Sequence, residues 1–565
     1  MLTIVRGILA AMAMTVATTS FALAETQATP APKKATVAQN PTSDTATAPT
    51  PTPNPLSVRG FFRSYYFTRQ NASNNPGVQF NFSPGAKYNS NAVNQASLNN
   101  AIDLHADYQL PFAGWFVGGS YFYAQPFSGP CSVAPAHAKG MPCVSQKPPN
   151  TNPDDTLPGY MLSTFPETYV GFKNDRWTGM GGDFLFNSPW AGPYDGTRIK
   201  PVAYQGADVS YLFDQGLTLE IGNFWNWQNR TSNNFTSNTL LTSYPSGSPG
   251  MASNIVVPGC SGGSCNGINT PGFFYGKLGY APAGKPYSVD GYLYGVGNIA
   301  TMYWGDAKYT IGDSPIKPYV ALQGGWETNA GTSVIGKIQS SDLGFQLGAN
   351  ATKDLLVTVG FDTIPWQTDT LSDAYLHSIN WTCHNSSNQL GAFSTPTPTK
   401  TLPYFLPSNA GQCFDNGTTT SVYYGGWASP YTDSYATDPF FTTSISQGMA
   451  DRRAPGTSWK AAATYTSANK KWVFIASDAW YNYGNAAIAQ NTNEWDLDGS
   501  YKFGPVTKSR YKGLLLRYRY AQRSQTNTYC GASGTACPVG VAPGTSILGG
   551  IPLFKYNRAQ LEYDF

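Results

Sequence analysis

The chain has 565 residues, of which 41% are hydrophobic, 14% aromatic and only 12% charged, where an ordinary soluble domain is roughly a quarter charged. A mean hydropathy of −0.30 and the lack of a long apolar run past the N-terminus exclude a helical membrane protein; 36 Tyr, 30 Phe and 14 Trp exclude a disordered one. With 58 Gly and 42 Pro long helices are not expected, and a net charge of +3 offers no basic field to a nucleic-acid backbone, which leaves a large, aromatic, all-β protein.

In chain order, residues 1–24 read as a secretory signal peptide. Arg6 supplies the positive start, Ile8 to Val16 the apolar run, and Ala22-Leu23-Ala24 the small-residue cleavage site. A retained anchor would need about 20 apolar residues. Thr15, Thr18, Thr19 and Ser20 interrupt this run. Residues 25–55 are rich in Pro, Ala and Thr and hold no aromatic side chain, so they form no core and are expected to be an extended periplasmic spacer.

From Val58 onward one pattern repeats: about ten residues alternating apolar and polar, then a turn or a long polar loop, as in a transmembrane β-barrel. In one such stretch Ile102, Leu104, Ala106 and Tyr108 share a face and Asp103, His105 and Asp107 the other. Strands are expected near 58–68, 98–110, 114–124, 166–174, 177–186, 201–213, 217–226, 272–281 and 287–297. Nine more follow near 299–311, 316–328, 340–351, 355–364, 457–466, 472–483, 493–504, 513–524 and 553–565. The total is eighteen, an even number as a closed bacterial barrel requires. Residues 421–455 could hold a further strand.

The connections sort by length. Even-to-odd links are short, such as Asn174-Asp175 and Asp214-Gln215, whereas 69–97, 125–165, 187–200, 227–271, 365–456 and 525–552 are long. Short periplasmic turns and long outer loops are the asymmetry of an outer-membrane barrel. Eight cysteines fall in the long set as close pairs: Cys131 with Cys143, Cys260 with Cys265, Cys383 with Cys413, and Cys530 with Cys537. Proximity in an exported chain favours four loop-stapling disulfides. A zinc site is the alternative, since His137 and His384 lie near cysteines, but no CxxC…CxxC or HExxH spacing accompanies them. No metal or other cofactor is expected. The last strand ends in Leu561, Tyr563 and a terminal Phe565 on one face, like the signal by which assembly machinery recognises outer-membrane barrels.

Two stretches resemble the OprD-type (outer-membrane porin D) family of eighteen-stranded porins. The first is Gly182-Asp183-Phe184-Leu185-Phe186-Asn187-Ser188-Pro189, followed by Asp195-Gly196-Thr197-Arg198-Ile199-Lys200-Pro201, Gln205-Gly206 and then Gly222-Asn223-Phe224 with Arg230. The second is Val58-Arg59-Gly60-Phe61-Phe62-Arg63, similar to the family's first strand. These matches cover about a fifth of the chain, and the loop cysteines and the long 365–456 connection depart from the family pattern. The resemblance implies a passive diffusion channel whose third outer loop folds inward and whose arginine ladder guides carboxylate-bearing solutes.

Several residues are candidates for that path. In the loop from Phe186 to Lys200, Pro189, Trp190, Pro193 and Tyr194 confer stiffness, and Asp195 and Arg198 would set opposite charges near the eyelet or pair with each other. If Leu514, Leu516, Tyr518 and Tyr520 face lipid, Arg517, Arg519 and Arg523 face the lumen. The same parity turns Arg558 inward, and Arg59 and Arg63 share a face of the first strand. Closure would gather these six arginines on one wall, beside Glu494, Asp496 and Asp498 of the neighbouring strand. They would form an open basic track, or be neutralised by those carboxylates into a transverse field that selects polar over apolar solutes.

Other functions are open at this stage. An enzyme would need a nucleophile beside His105, the one histidine in an expected strand, and no G-x-S-x-G motif is present. A gated receptor would need a folded plug, for which the spacer is too short. A surface adhesin or receptor role of the outer loops can coexist with transport, and a non-selective or sugar-preferring porin is a further alternative. Expected partners are membrane lipid, the assembly machinery and small polar solutes, in a monomer or a homo-oligomer of the outer membrane.

Overall fold

A computed structural model describes residues 55–71, 95–126, 161–192, 199–230, 232–237, 270–312, 314–332, 338–378, 380, 382–384, 391–394, 412–427, 429, 431–432, 455–482, 492–504, 513–529 and 546–565. The signal peptide and the spacer up to residue 54 lie outside the described residues.

The first half of the wall consists of β1 (Leu56–Asn71), β2 (Gln95–Gln109), β3 (Trp115–Pro126), β4 (Leu162–Lys173), β5 (Trp177–Phe184), β6 (Ala203–Leu212), β7 (Leu217–Gln228), β8 (Phe273–Tyr280) and β9 (Tyr287–Val296). It continues through β10 (Ala300–Thr310), β11 (Tyr319–Asn329), β12 (Gln339–Thr352) and β13 (Leu355–Ile364). After a long excursion the wall resumes with β19 (Gly456–Thr466), β20 (Trp472–Asn482), β21 (Thr492–Lys502), β22 (Gly513–Tyr529) and β23 (Ser546–Asp564). Each strand pairs antiparallel with its neighbours in sequence, β13 pairs with β19, and β23 returns to β1, where Arg63 lies opposite Glu562. The result is a closed sheet of 18 strands, which leaves no edge exposed.

Every strand expected from the sequence is present. The ends differ, since β1 runs to Asn71, β4 begins at Leu162 and β23 at Ser546. Backbone pairing continues there beyond the alternating apolar stretch that signalled the strand.

Alternation explains the shape. Leu104, Tyr108, Leu516, Tyr518, Leu561 and Tyr563 are exposed on the outer face, while their sequence neighbours His105, Arg517, Arg519, Gln560 and Glu562 are buried inside. A soluble protein would not display such a continuous apolar exterior; lipid accommodates it. Trp115, Trp177 and Trp472 open upward strands near the short-turn rim, and Trp225 and Trp480 lie near the opposite rim, all exposed, as in an interfacial aromatic belt.

The connection from residue 365 to 456 was expected to be a loop, with room for a strand within 421–455. It contains a second small sheet instead: β14 (Gln367–Ser372), α1 (Asp373–Ser378), β15 (Thr382–His384), β16 (Gly391–Ser394), β17 (Gln412–Asp415) and β18 (Thr419–Tyr424), in the order β14-β18-β17-β16-β15. These strands are three to six residues long, too short to cross a bilayer, and stand apart from the wall.

Of the four expected disulfides, one falls within the described residues. Cys383 on β15 and Cys413 on β17 are joined, so the small sheet is stapled across the strand between them. The expected bond of Cys131 to Cys143 lies outside the described residues. So do the bond of Cys260 to Cys265 and the bond of Cys530 to Cys537.

Candidate functional site

The strands β21, β22, β23 and β1 are consecutive around the barrel and carry the candidate arginines inward. Arg63, Arg517, Arg519, Arg523 and Arg558 are each 5% exposed or less. Arg517 donates from Nε to Asp498 Oδ1 at 2.9 Å, and Arg519 Nε lies 3.0 Å from Asp498 Oδ2. Arg523 donates twice to Glu494 Oε2, at 3.1 and 3.2 Å, and Asp496 accepts from Ser477 Oγ at 3.1 Å. Arg558 is the register partner of Arg519. Arg63 pairs with Glu562 and reaches Ile199 O at 3.2 Å, so the first strand also holds the far end of the loop that follows β5.

The candidate arginines and carboxylates thus form one interleaved network rather than a bare track. Removing one partner of a buried pair costs about 3–5 kcal/mol, so each carboxylate fixes a guanidinium in place. Among the described residues five arginines and Lys502 meet five carboxylates here (Glu494, Asp496, Asp498, Glu562 and Asp564), which leaves the sector net positive.

Arg59 sits lower, toward the short-turn rim, and is partly exposed. Its Nη1 donates to Asp107 Oδ2 at 2.8 Å, and its Nη2 lies 2.6 Å from His105 Nε2. The same Nε2 lies 3.1 Å from Asp107 Oδ1, and Nδ1 lies 3.0 Å from Glu167 Oε2. Tyr169 donates to Asp107 Oδ1 at 2.6 Å. Both histidine nitrogens are committed to this clamp across β1, β2 and β4, in which the Tyr169 hydroxyl also lies 3.0 Å from Nε2.

Asp195 and Arg198 lie outside the described residues. On either side of them the loop is anchored. Ser188 Oγ donates to Ala191 O at 2.7 Å, and Phe186, Trp190 and Ala191 are buried on the inner side of the wall. Trp190 packs on Trp304 of β10 with ring centroids 5.0 Å apart.

Two features escaped the sequence reading. The first is a row of buried carboxylates on the wall facing the arginines: Asp290 on β9, Asp306 on β10, Glu327 on β11, Asp342 on β12 and Asp362 on β13. Asp290 and Asp306 are register partners, and Lys277 Nζ lies 3.3 Å from Asp290. Among the described residues three lysines share the inner side of this sector, Lys277, Lys308 and Lys460, so it is net negative. The parity of SVDGYLYG and WGDAKYT already points these acids inward.

The second is a segment from the outer sheet. After β18 the chain turns at Gly425, whose φ of +114° favours glycine and where a Cβ would meet Gln367 Cγ at 2.8 Å. Trp427 is then fully buried against both Trp190 and Trp304, at 5.3 and 5.6 Å, so the three rings touch one another. Glu327 Oε1 accepts from the Ser429 backbone N–H at 2.9 Å and the Tyr431 hydroxyl at 3.2 Å, and Tyr204 on β6 meets Thr432 Oγ1 at 3.1 Å. The described residues of this segment, 425–427, 429, 431 and 432, thus approach β14, β10, β11 and β6. Nothing periodic in the sequence marks them. Together with Phe184, Phe186, Phe224, Phe273, Tyr275 and Tyr294 they complete an aromatic cluster over β4 to β10.

These features define a membrane-spanning barrel of the porin type, with charged and polar side chains on its inner face. The fold is that of the OprD-type porins, as solved relatives in shape show. Pseudomonas aeruginosa OccK8 (OprE) superposes with a TM-score of 0.53 at 12% identity, covering 90% of this chain and 98% of that one. P. aeruginosa OccK2 (OpdF), solved in complex with glucuronate, gives 0.53 at 10% identity over 90% and 96%. P. aeruginosa OpdK with vanillate gives 0.51 at 11% identity over 90% and 98%. No protein-family model and no curated protein matches the sequence.

Proposed function

We propose that this protein is an outer-membrane porin, a passive, water-filled channel for small polar solutes bearing a carboxylate, with no chemistry of its own. The observation that carries this reading is the division of the lumen into two charged walls. A net positive sector on β21, β22, β23 and β1 faces a net negative one on β8 to β13 and β19. Such a transverse field orders water and disfavours apolar solutes, while a carboxylate is drawn toward the net positive arginine side. Arg517, Arg519, Arg523 and Arg558 would serve that track, and Arg63 would mainly position the loop after β5, whose inward segment would narrow the pore. Glucuronate and vanillate, each bound by one of the similar porins, both carry a carboxylate.

The test is single-channel recording in a planar bilayer with a panel of organic acids, amino acids and neutral sugars. The expected result is discrete conductance steps, blocked by carboxylates at lower concentration than by sugars of equal size. Equal block by both would leave a general or sugar-preferring porin. A surface-receptor role is the second reading, favoured by the disulfide-linked outer sheet; replacing residues 367–424 would then abolish attachment and leave conductance intact.

A further inference from the structure

The charged walls offer a basis for choosing among solutes by charge, but nothing in them limits solute size. A separate element, the inward stretch that holds Trp427, Ser429, Tyr431 and Thr432, offers a basis for choosing by size. It touches wall strands as far apart as β11 and β6, and it is bound at two points of different kind. One end leaves β18, which is paired along its length with β14, itself the upward continuation of β13 after Pro365 and Trp366. Further along, Ser429 and Tyr431 rest on Glu327, ahead of Thr432 at Tyr204.

Glu327 is fully buried on the inner side of β11. Besides the Ser429 N–H and the Tyr431 hydroxyl it accepts from Ser340 Oγ at 3.3 Å. A buried carboxylate demands several donors, and two of these come from the inward segment rather than from the wall. Removing the segment would leave Glu327 with fewer donors, and removing the carboxylate would leave the Ser429 N–H and the Tyr431 hydroxyl buried without this acceptor. Each therefore holds the other in place. Trp427, packed against both Trp190 and Trp304, links this seat to the loop after β5, so the two inward segments share one support.

We propose that Glu327 is the positioning residue for pore size: it seats residues 425–432 in the lumen, and this seat sets the largest solute the channel admits, independently of the arginine sector. The proposal rests on the porin reading above.

The experiment measures single-channel conductance and the size cut-off for uncharged polyethylene glycols in planar bilayers. The variants are Glu327→Ala, Glu327→Gln, Ser429→Pro, Trp427→Ala and, as a contrast, the double variant Arg517→Gln with Arg519→Gln. Ser429→Pro removes the donated N–H from the loop side without touching the barrel wall, so it answers the question even where Glu327→Ala does not fold. Glu327→Ala, Ser429→Pro and Trp427→Ala should each raise conductance and move the cut-off to larger polymers, with Glu327→Gln closer to wild type. The arginine variant should leave the cut-off in place. A cut-off raised by Trp427→Ala but unchanged in both Glu327→Ala and Ser429→Pro overturns the role of the seat, and an unchanged cut-off in all three overturns the role of the segment. Folded wild-type protein that forms no channel at all contradicts the porin reading instead.

Discussion

The two sides of the lumen are held by different forces. Over β4 to β10, aromatic rings from wall and inward segments interlock in a cluster that depends on shape and burial. Across β21, β22, β23 and β1, guanidinium and carboxylate groups are positioned by charge and hydrogen bonds at defined distances. The aromatic side packs ring on ring, while the ionic side lines the wall with paired charges. On the proposed reading, size and charge preference belong to different residues, and each should be alterable without the other.

The largest effect is expected on the ionic side. Asp498→Ala removes the partner of both Arg517 and Arg519 and should cost about 3–5 kcal/mol, read as a lower urea midpoint for the detergent-solubilised barrel. A loss well below that would mean that water already solvates these arginines. On the aromatic side Trp304→Ala should cost about 3 kcal/mol, but with no change in ion selectivity. A shifted selectivity would break the division between the halves. Glu494→Gln combined with Arg523→Gln should return to within about 1 kcal/mol of wild type while each single change costs more, since a buried pair replaced as a unit is often neutral. Additive single effects would show that the two do not act as a pair. The smallest effect belongs to the short-turn rim, where Arg176 pairs with Asp214 at 2.8 Å in full contact with solvent. Arg176→Ala should leave the urea midpoint unchanged, and a measurable fall would mean that the turns contribute to barrel stability.

The wall was legible because a barrel strand repeats its environment every second residue, so the sequence carries its inside and outside in plain alternation. The arginines on β22 and β23 followed from the same parity, as Leu516 and Tyr518 on the lipid side force Arg517 and Arg519 to the other. Their carboxylate pairing was foreseen as one of two outcomes. The facing acids obeyed the same rule and were overlooked because they are scattered singly over β9 to β13. The inward segment is a different case. Residues 425–432 have no period, and their place depends on contacts with Trp190, Trp304 and Glu327, all more than 90 positions away, which no local pattern encodes.

The measurement that bears most directly on the channel and its arginine wall is the reversal potential of single channels under a potassium chloride gradient, for the wild type and for the double variant Arg517→Gln with Arg519→Gln. The account predicts stable channels in both, with the variant shifted toward cation preference and less readily blocked by carboxylates. A folded protein that conducts no current, or two proteins with the same reversal potential, would contradict it.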